Sequence, residues 1–291
     1  SRPRLLGIKY KYIALMVSLI FFIGLLASPA GLSAAPNILD DGIQYNHLVK
    51  TLADGKTAEV HYLLVDTQKP KVEFKPVLAG KTLGHLDPLS KMANEYGAVA
   101  AINGSFYSAQ VNLTPIDTTV IDNRMVLKGL RDATSLIARQ DKRLLFEKLN
   151  PQVLLMLPDK KLVYKVDTMN IECNQGLSIY TPEFGTNTKN DLNNLEFVVK
   201  PDQGKLIINE IRNGGAPIPE GGFVISMQGF EKPYRFDFAL GDQVTWTPDY
   251  RGFEGVKHII TNGPQLVKQG CKSVPFNTEG LDSSLSNRHP R

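Results

Sequence analysis

The chain is poor in the residues that build disulfide scaffolds and metal modules. Only two of its 291 residues are cysteine and five are histidine, which excludes a disulfide-dense domain and a cysteine-rich zinc module. The histidines are His47, His61, His85, His258 and His289, with no two at ligand spacing. Zinc catalysis therefore has little support in the sequence, and no metal or cofactor is expected. Cys173 and Cys271 leave a single disulfide and two free thiols equally open. A Walker loop, a Rossmann glycine fingerprint and a G-x-S-x-G elbow are also missing, which disfavours nucleotide binding by those motifs and an α/β-hydrolase. There is no internal repeat. The net charge of +4 resides in Arg2, Arg4, Lys9 and Lys11, the only charges before Asp40. The remainder carries 29 basic and 29 acidic residues, so the body has no bulk electrostatic reason to bind nucleic acid. With 42% hydrophobic and 21% charged residues, the composition is that of a globular chain.

The apolar run Ile13–Leu26 has 14 residues, short of the roughly 20 that span a bilayer. A basic stretch ending at Tyr12 precedes it, and Pro29, Gly31 and Leu32-Ser33-Ala34 follow. This order predicts a secretory signal over residues 1–35, with an uncleaved membrane anchor through residues 13–26 as the alternative. Both place one domain, residues 36–291, outside the cytoplasm, secreted or in the cell envelope.

Within that body, short apolar runs alternate with Asp, Asn, Gly, Pro and Lys turns. The segment 57–78 reads as two strands around Thr67-Gln68-Lys69-Pro70. Asp87 as N-cap, Pro88 at the first helical position and Gly97 as the stop predict one helix. AVAAIN then reads as a short buried strand ending at Asn103. Six further strand-like stretches follow, several of them hairpins, such as Phe197–Lys200 and Leu206–Asn209 around Pro201-Asp202-Gln203-Gly204. The expected fold is α+β, with mixed, mostly antiparallel sheets and few helices.

Three turns carry polar groups. In AAINGSFYS an amide at a strand end, Asn103, precedes Gly104 and Ser105, a pattern that can aim an amide and backbone N–H groups at an anion or a sugar hydroxyl. Phe106 and Tyr107 can wall such a site. Asn262-Gly263-Pro264 lies between two apolar runs and by itself reads as a plain hairpin. Arg288-His289-Pro290-Arg291 places two guanidinium groups where phosphate would suit them.

Taken in order, these pieces resemble the phosphodiester glycosidase family, that of the uncovering enzyme. The matching stretches are Asn103-Gly104-Ser105-Phe106-Tyr107, TPIDTTVIDNRMV from Thr114 to Val126, IPEGGFVIS from Ile218 to Ser226, Gly263 to Gly270, and the Arg288–Arg291 block. The resemblance covers roughly Ala58 to Arg291. It implies hydrolysis of a sugar-1-phosphodiester with release of the sugar, in which Arg291 holds phosphate and Asn103 orients sugar or phosphate. Gly104, Ser105, Phe106, Asn262 and Gly263 would line the substrate. It also implies that a Leu-Asp-Gly-Gly-Gly-Ser block lies beyond Arg291 and completes the site, so that the chain is expected to be truncated. The alternative is a non-catalytic envelope protein that binds glycan or phosphoglycan with the same cleft. The expected partner is a glycan or sugar-phosphodiester, with no nucleic acid.

Overall fold

A computed structural model describes residues 37–107, 114–172, 176–228, 234–274, 277–279 and 281. The predicted signal, Cys173 and the Arg288–Arg291 block lie outside these residues. In chain order the strands begin with β1 (Asn37–Asp40), β2 (Ile43–Thr51) and β3 (Thr57–Val65), followed by helix α1 (Leu89–Glu95). Then come β4 (Thr119–Ile121), β5 (Arg124–Leu127), β6 (Thr134–Arg139), β7 (Leu144–Lys148), β8 (Gln152–Leu157), β9 (Leu162–Val166) and β10 (Thr168–Met169). The rest are β11 (Gly176–Tyr180), β12 (Leu195–Asp202), β13 (Lys205–Asn213), β14 (Phe223–Gln228), β15 (Thr245–Asp249), β16 (Val256–Thr261), β17 (Val267–Lys268) and β18 (Cys271–Lys272).

The protein is built mostly of antiparallel sheets; α1 is the one α-helix among the described residues. Two compact units divide it. The smaller holds the antiparallel sheet β1-β2-β3 and the ribbon β17-β18. The larger holds three sheets, ordered β5-β4-β16-β6-β7, β10-β11-β14-β12-β13 and β15-β8-β9. All their pairings are antiparallel except β10 with β11. One core joins the three sheets, with Ile137 and Ile259 from the first, Phe197, Phe223 and Ile225 from the second, and Val153 and Leu155 from the third. Alternation across the pleat sends Tyr180, Val198 and Val224 to a second cluster with Ala216 and Ile218.

Local chemistry explains the hairpins. Asp122 and Asn123 both adopt positive φ between β4 and β5, as do Gln203 and Gly204 between β12 and β13. Paired positive φ values give a tight turn whose twist matches that of the strands.

Three local expectations change. Of the two strands predicted over 57–78, only β3 forms. Lys142 Nζ donates to the carbonyls of Lys69, Pro70 and Val72 at 2.7 to 3.3 Å, so a side chain takes the acceptors a ladder would use. The helix is capped by Pro88 without a side-chain bond; Asp87 instead accepts from Lys91 Nζ at 2.8 and 2.9 Å. AVAAIN is neither a strand nor buried. Ile102 is 78% exposed, and no strand among the described residues pairs with this segment.

Candidate functional site

The central strand of the first large sheet determines where polar groups collect. Ile260 pairs with Thr119 and Thr261 with Ser135, so the end of β16 lies beside the starts of β4 and β6. Each of these three ends carries a polar residue: Asp117 just before β4, Arg131 just before β6 and Asn262 just after β16. Arg131 Nε donates to Asp117 Oδ1 at 2.7 Å and NH2 to Oδ2 at 2.5 Å, a two-point fork. NH2 also donates to the Asn262 carbonyl at 3.0 Å. The guanidinium lies over the Phe106 ring, 5.0 Å from its centroid. Asp117 is fully buried. Burial pushes its carboxyl above the usual range, opposed by Arg131 and by the Phe106 N–H donated to it.

Several expected residues meet here. Gly104 packs against β16: a Cβ there would sit 2.5 Å from Ile260 Cδ1, so that side-chain tip would have to turn aside. Ser105 takes the positive φ of the turn, 67°, and its hydroxyl donates to the Phe106 carbonyl at 3.2 Å. Gly263 has φ 69° and is joined to Pro264 by a cis peptide bond. Any side chain there would collide with the Glu279 carboxylate. Glu279 is itself buried and accepts from Thr134 N at 2.9 Å, Thr134 Oγ1 at 2.8 Å and Gln265 N at 3.2 Å. Asn103 is exposed and belongs to irregular chain, which corrects its placement at the end of a buried strand. The Asn262 turn is also no hairpin: β16 and β17 do not pair, and β17 pairs with β18 instead. Arg291 lies outside the described residues.

The structure thus gathers Gly104, Phe106, Asn262 and Gly263 and adds Asp117, Arg131 and Glu279, which the sequence reading missed. The available signal was weak. Asp117 and Arg131 are opposite charges, 14 residues apart, each close before an apolar strand, and only the sheet makes them neighbours. Arg131 covers one face of the Phe106 ring, whereas the Tyr107 ring is exposed.

The opposite end of the same sheet holds a second cluster. His258 is buried, with Nε2 3.9 Å from Glu73 Oε1 and 3.8 Å from Asp122 Oδ1. His, Glu and Asp so placed resemble metal ligands, but the tautomer argues otherwise. Nδ1 accepts the Asp122 N–H at 3.1 Å, so in the neutral ring Nε2 carries the proton and has no lone pair for a metal. Both carboxylates are also held by lysines, Glu73 by Lys257 at 2.5 Å and Asp122 by Lys75 at 2.6 Å. A cleft of about 200 Å³ beside this cluster has a mixed lining, apolar at Val72, Phe74 and Leu144 and charged at Glu73, Arg139 and Lys142.

The smaller unit brings together two histidines that no short spacing in the sequence connects. His47 and His61 face each other across β2 and β3, a pairing created by the hairpin and invisible as a short sequence spacing. Cys271 is an exposed free thiol. Among the described residues no helix is long and apolar enough to cross a membrane.

No family profile and no curated protein matches the chain. Solved structures do. A hypothetical protein from Synechocystis superposes with a TM-score of 0.71 at 18% identity, over 84% of this chain and 46% of that one. A Burkholderia pseudomallei protein described as "Putative exported protein" gives 0.58 at 17%, over 74% of this chain and 51% of that one. The chain therefore spans about half the length of these proteins and shares their fold.

Proposed function

We propose that the chain is an exported, α+β phosphodiester glycosidase-type domain that acts on a sugar-1-phosphodiester and releases the sugar. The observation that carries this reading is the convergence of two turns singled out by the family resemblance, Gly104–Phe106 and Asn262–Gly263, on the guanidinium of Arg131. Breaking an anomeric C–O bond generates an oxocarbenium-like sugar and a departing phosphate. Phosphate is a good leaving group, so fixed donors that hold it do much of what a strong general acid would otherwise do. The Arg131 guanidinium, which contacts both turns, is such a donor; by resemblance, Arg291 is a second. Export is supported by the signal-like segment 1–35 and by the description of the Burkholderia neighbour as exported.

The test is release of reducing sugar from a synthetic sugar-1-phosphodiester. Asn103 is exposed, so Asn103→Ala should leave the melting transition in place and lower kcat/KM, by on the order of 10² if it donates to developing charge. Arg131→Lys keeps the charge and loses the fork and should show a comparable loss. Full activity in both variants would overturn the site assignment.

One observation favours a second reading, a glycan- or phosphoglycan-binding protein without catalysis. The two buried carboxylates at the site are both engaged, Asp117 by Arg131 and Glu279 by Thr134 and Gln265. Retention on immobilised phosphoglycan with no sugar release by the wild-type chain would select it.

A further inference from the structure

Antiparallel pairing of β2 and β3 puts His47 directly opposite His61, and Val49 opposite Glu59. Side chains of directly opposed residues share a face of the sheet, so Tyr45, His47, His61 and Glu59 project from one side of the hairpin. The imidazoles stack with centroids 4.4 Å apart and planes at 17°. His47 Nε2 lies 3.6 Å from Glu59 Oε2, and His61 Nε2 lies 3.7 Å from the same oxygen. Both separations are too long for a hydrogen bond. The three atoms nevertheless lie within 4.8 Å of one another.

That spacing is close to what a shared ion requires. Zinc bonds histidine nitrogen and carboxylate oxygen at about 2.0–2.2 Å in a tetrahedron, whose ligand atoms are then roughly 3.3–3.5 Å apart. Small rotations of exposed side chains close the difference. No backbone N–H fixes the tautomer here, in contrast to His258, because the partner of His61 Nδ1 is a hydroxyl that can donate or accept. His61 Nδ1 lies 2.6 Å from Tyr45 Oη. When Nδ1–H donates to that oxygen, the Nε2 lone pair is left facing Glu59, the outer-sphere arrangement that orients metal-bound histidines. Two imidazoles and a carboxylate suit zinc and its first-row neighbours and disfavour magnesium and calcium, which take oxygen ligands.

We propose that this face of the hairpin is a divalent transition-metal site of the zinc class, with His47 Nε2, His61 Nε2 and the Glu59 carboxylate as ligands and Tyr45 as a positioning residue. Three protein ligands leave the fourth position to water or a further ligand. An ion bridging both strands binds the paired hairpin better than the opened one, so it stabilises the pairing.

The test is calorimetric titration of zinc chloride into the full chain carrying Cys271→Ser, which removes the exposed thiol as a competitor. We expect saturation at one zinc per chain, with slower amide exchange in Ile43–Val65 when zinc is bound. His47→Gln and Glu59→Gln should each weaken binding at least tenfold. Tyr45→Phe should weaken it roughly tenfold while exchange in the zinc-free hairpin stays unchanged. No saturable binding at one equivalent would overturn the proposal. So would binding that persists in the His47→Gln, His61→Gln double variant, because the ion would then sit elsewhere.

Discussion

His258 shows how one backbone amide decides the role of a side chain. The Asp122 N–H fixes the neutral tautomer, and burial pushes the imidazole below its usual value, outweighing the opposite effect of Asp122 and Glu73. Lys257 and Lys75 push in the same direction as burial. The folded pKa is thus depressed relative to the unfolded one. Below about pH 6.5 the unfolded chain takes up a proton that the folded chain resists. This contribution to stability is complete above that pH and is lost as pH falls toward the folded value. The urea midpoint should therefore decline between pH 7.5 and pH 5. His258→Asn, whose amide oxygen can still accept from Asp122 N–H, should flatten the decline. An unchanged slope in the variant would assign the pH dependence to other groups.

At the scale of elements, the site depends on two loops packed backbone to backbone. A Cβ on Gly129 would lie 2.5 Å from the Ile116 carbonyl oxygen and 3.0 Å from Asp117 Cα and Thr118 N. Gly129 N–H also donates to Thr118 Oγ1 at 3.1 Å. Strand pairing fixes both neighbours, so the crowding has no soft side chain to absorb it. Gly129→Ala should therefore cost about 1–3 kcal/mol, the range for overpacking a tight interior, read as a lower denaturant midpoint. Because the same loops carry Asp117 and Arg131, the substitution should also disturb their fork. A variant of unchanged stability would show that the loops can move apart freely.

For the whole molecule, the two units differ in what they bury. The larger has a core spanning three sheets, with strands such as β14 almost wholly buried. The smaller combines the ribbon β17-β18 with a three-stranded sheet that has no buried residue in β1, β2 or β3. Sheets of that size need an apolar face or a packed partner for independent stability, and segments with few buried apolar contacts open locally at low free energy. In zinc-free buffer, amides of Ile43–Val65 should exchange far faster than those of β11, β12 and β14. Equal protection would mean that the hairpin is stabilised as part of the main cooperative unit.

The sequence alone determined what short-range chemistry determines. Alternating apolar runs and turn residues located the β12–β13 hairpin and marked α1 out as an isolated helix, because hairpins and helices are specified by neighbours a few residues away. Gly104, Phe106, Asn262 and Gly263 were legible as unusual turns, since glycine and asparagine next to apolar strands are conspicuous locally. Tertiary structure decided the rest. Which strand ends share an edge is set by sheet order, and β16 lies between β4 and β6 although it follows them by more than 100 residues. That order alone makes Arg131 the partner of Asp117 and places both beside Asn262. The same reason hid the His47–His61 pair, whose contact depends on register across a hairpin. It also explains AVAAIN, where apolar composition predicted a strand but only a neighbouring chain could have supplied the hydrogen bonds.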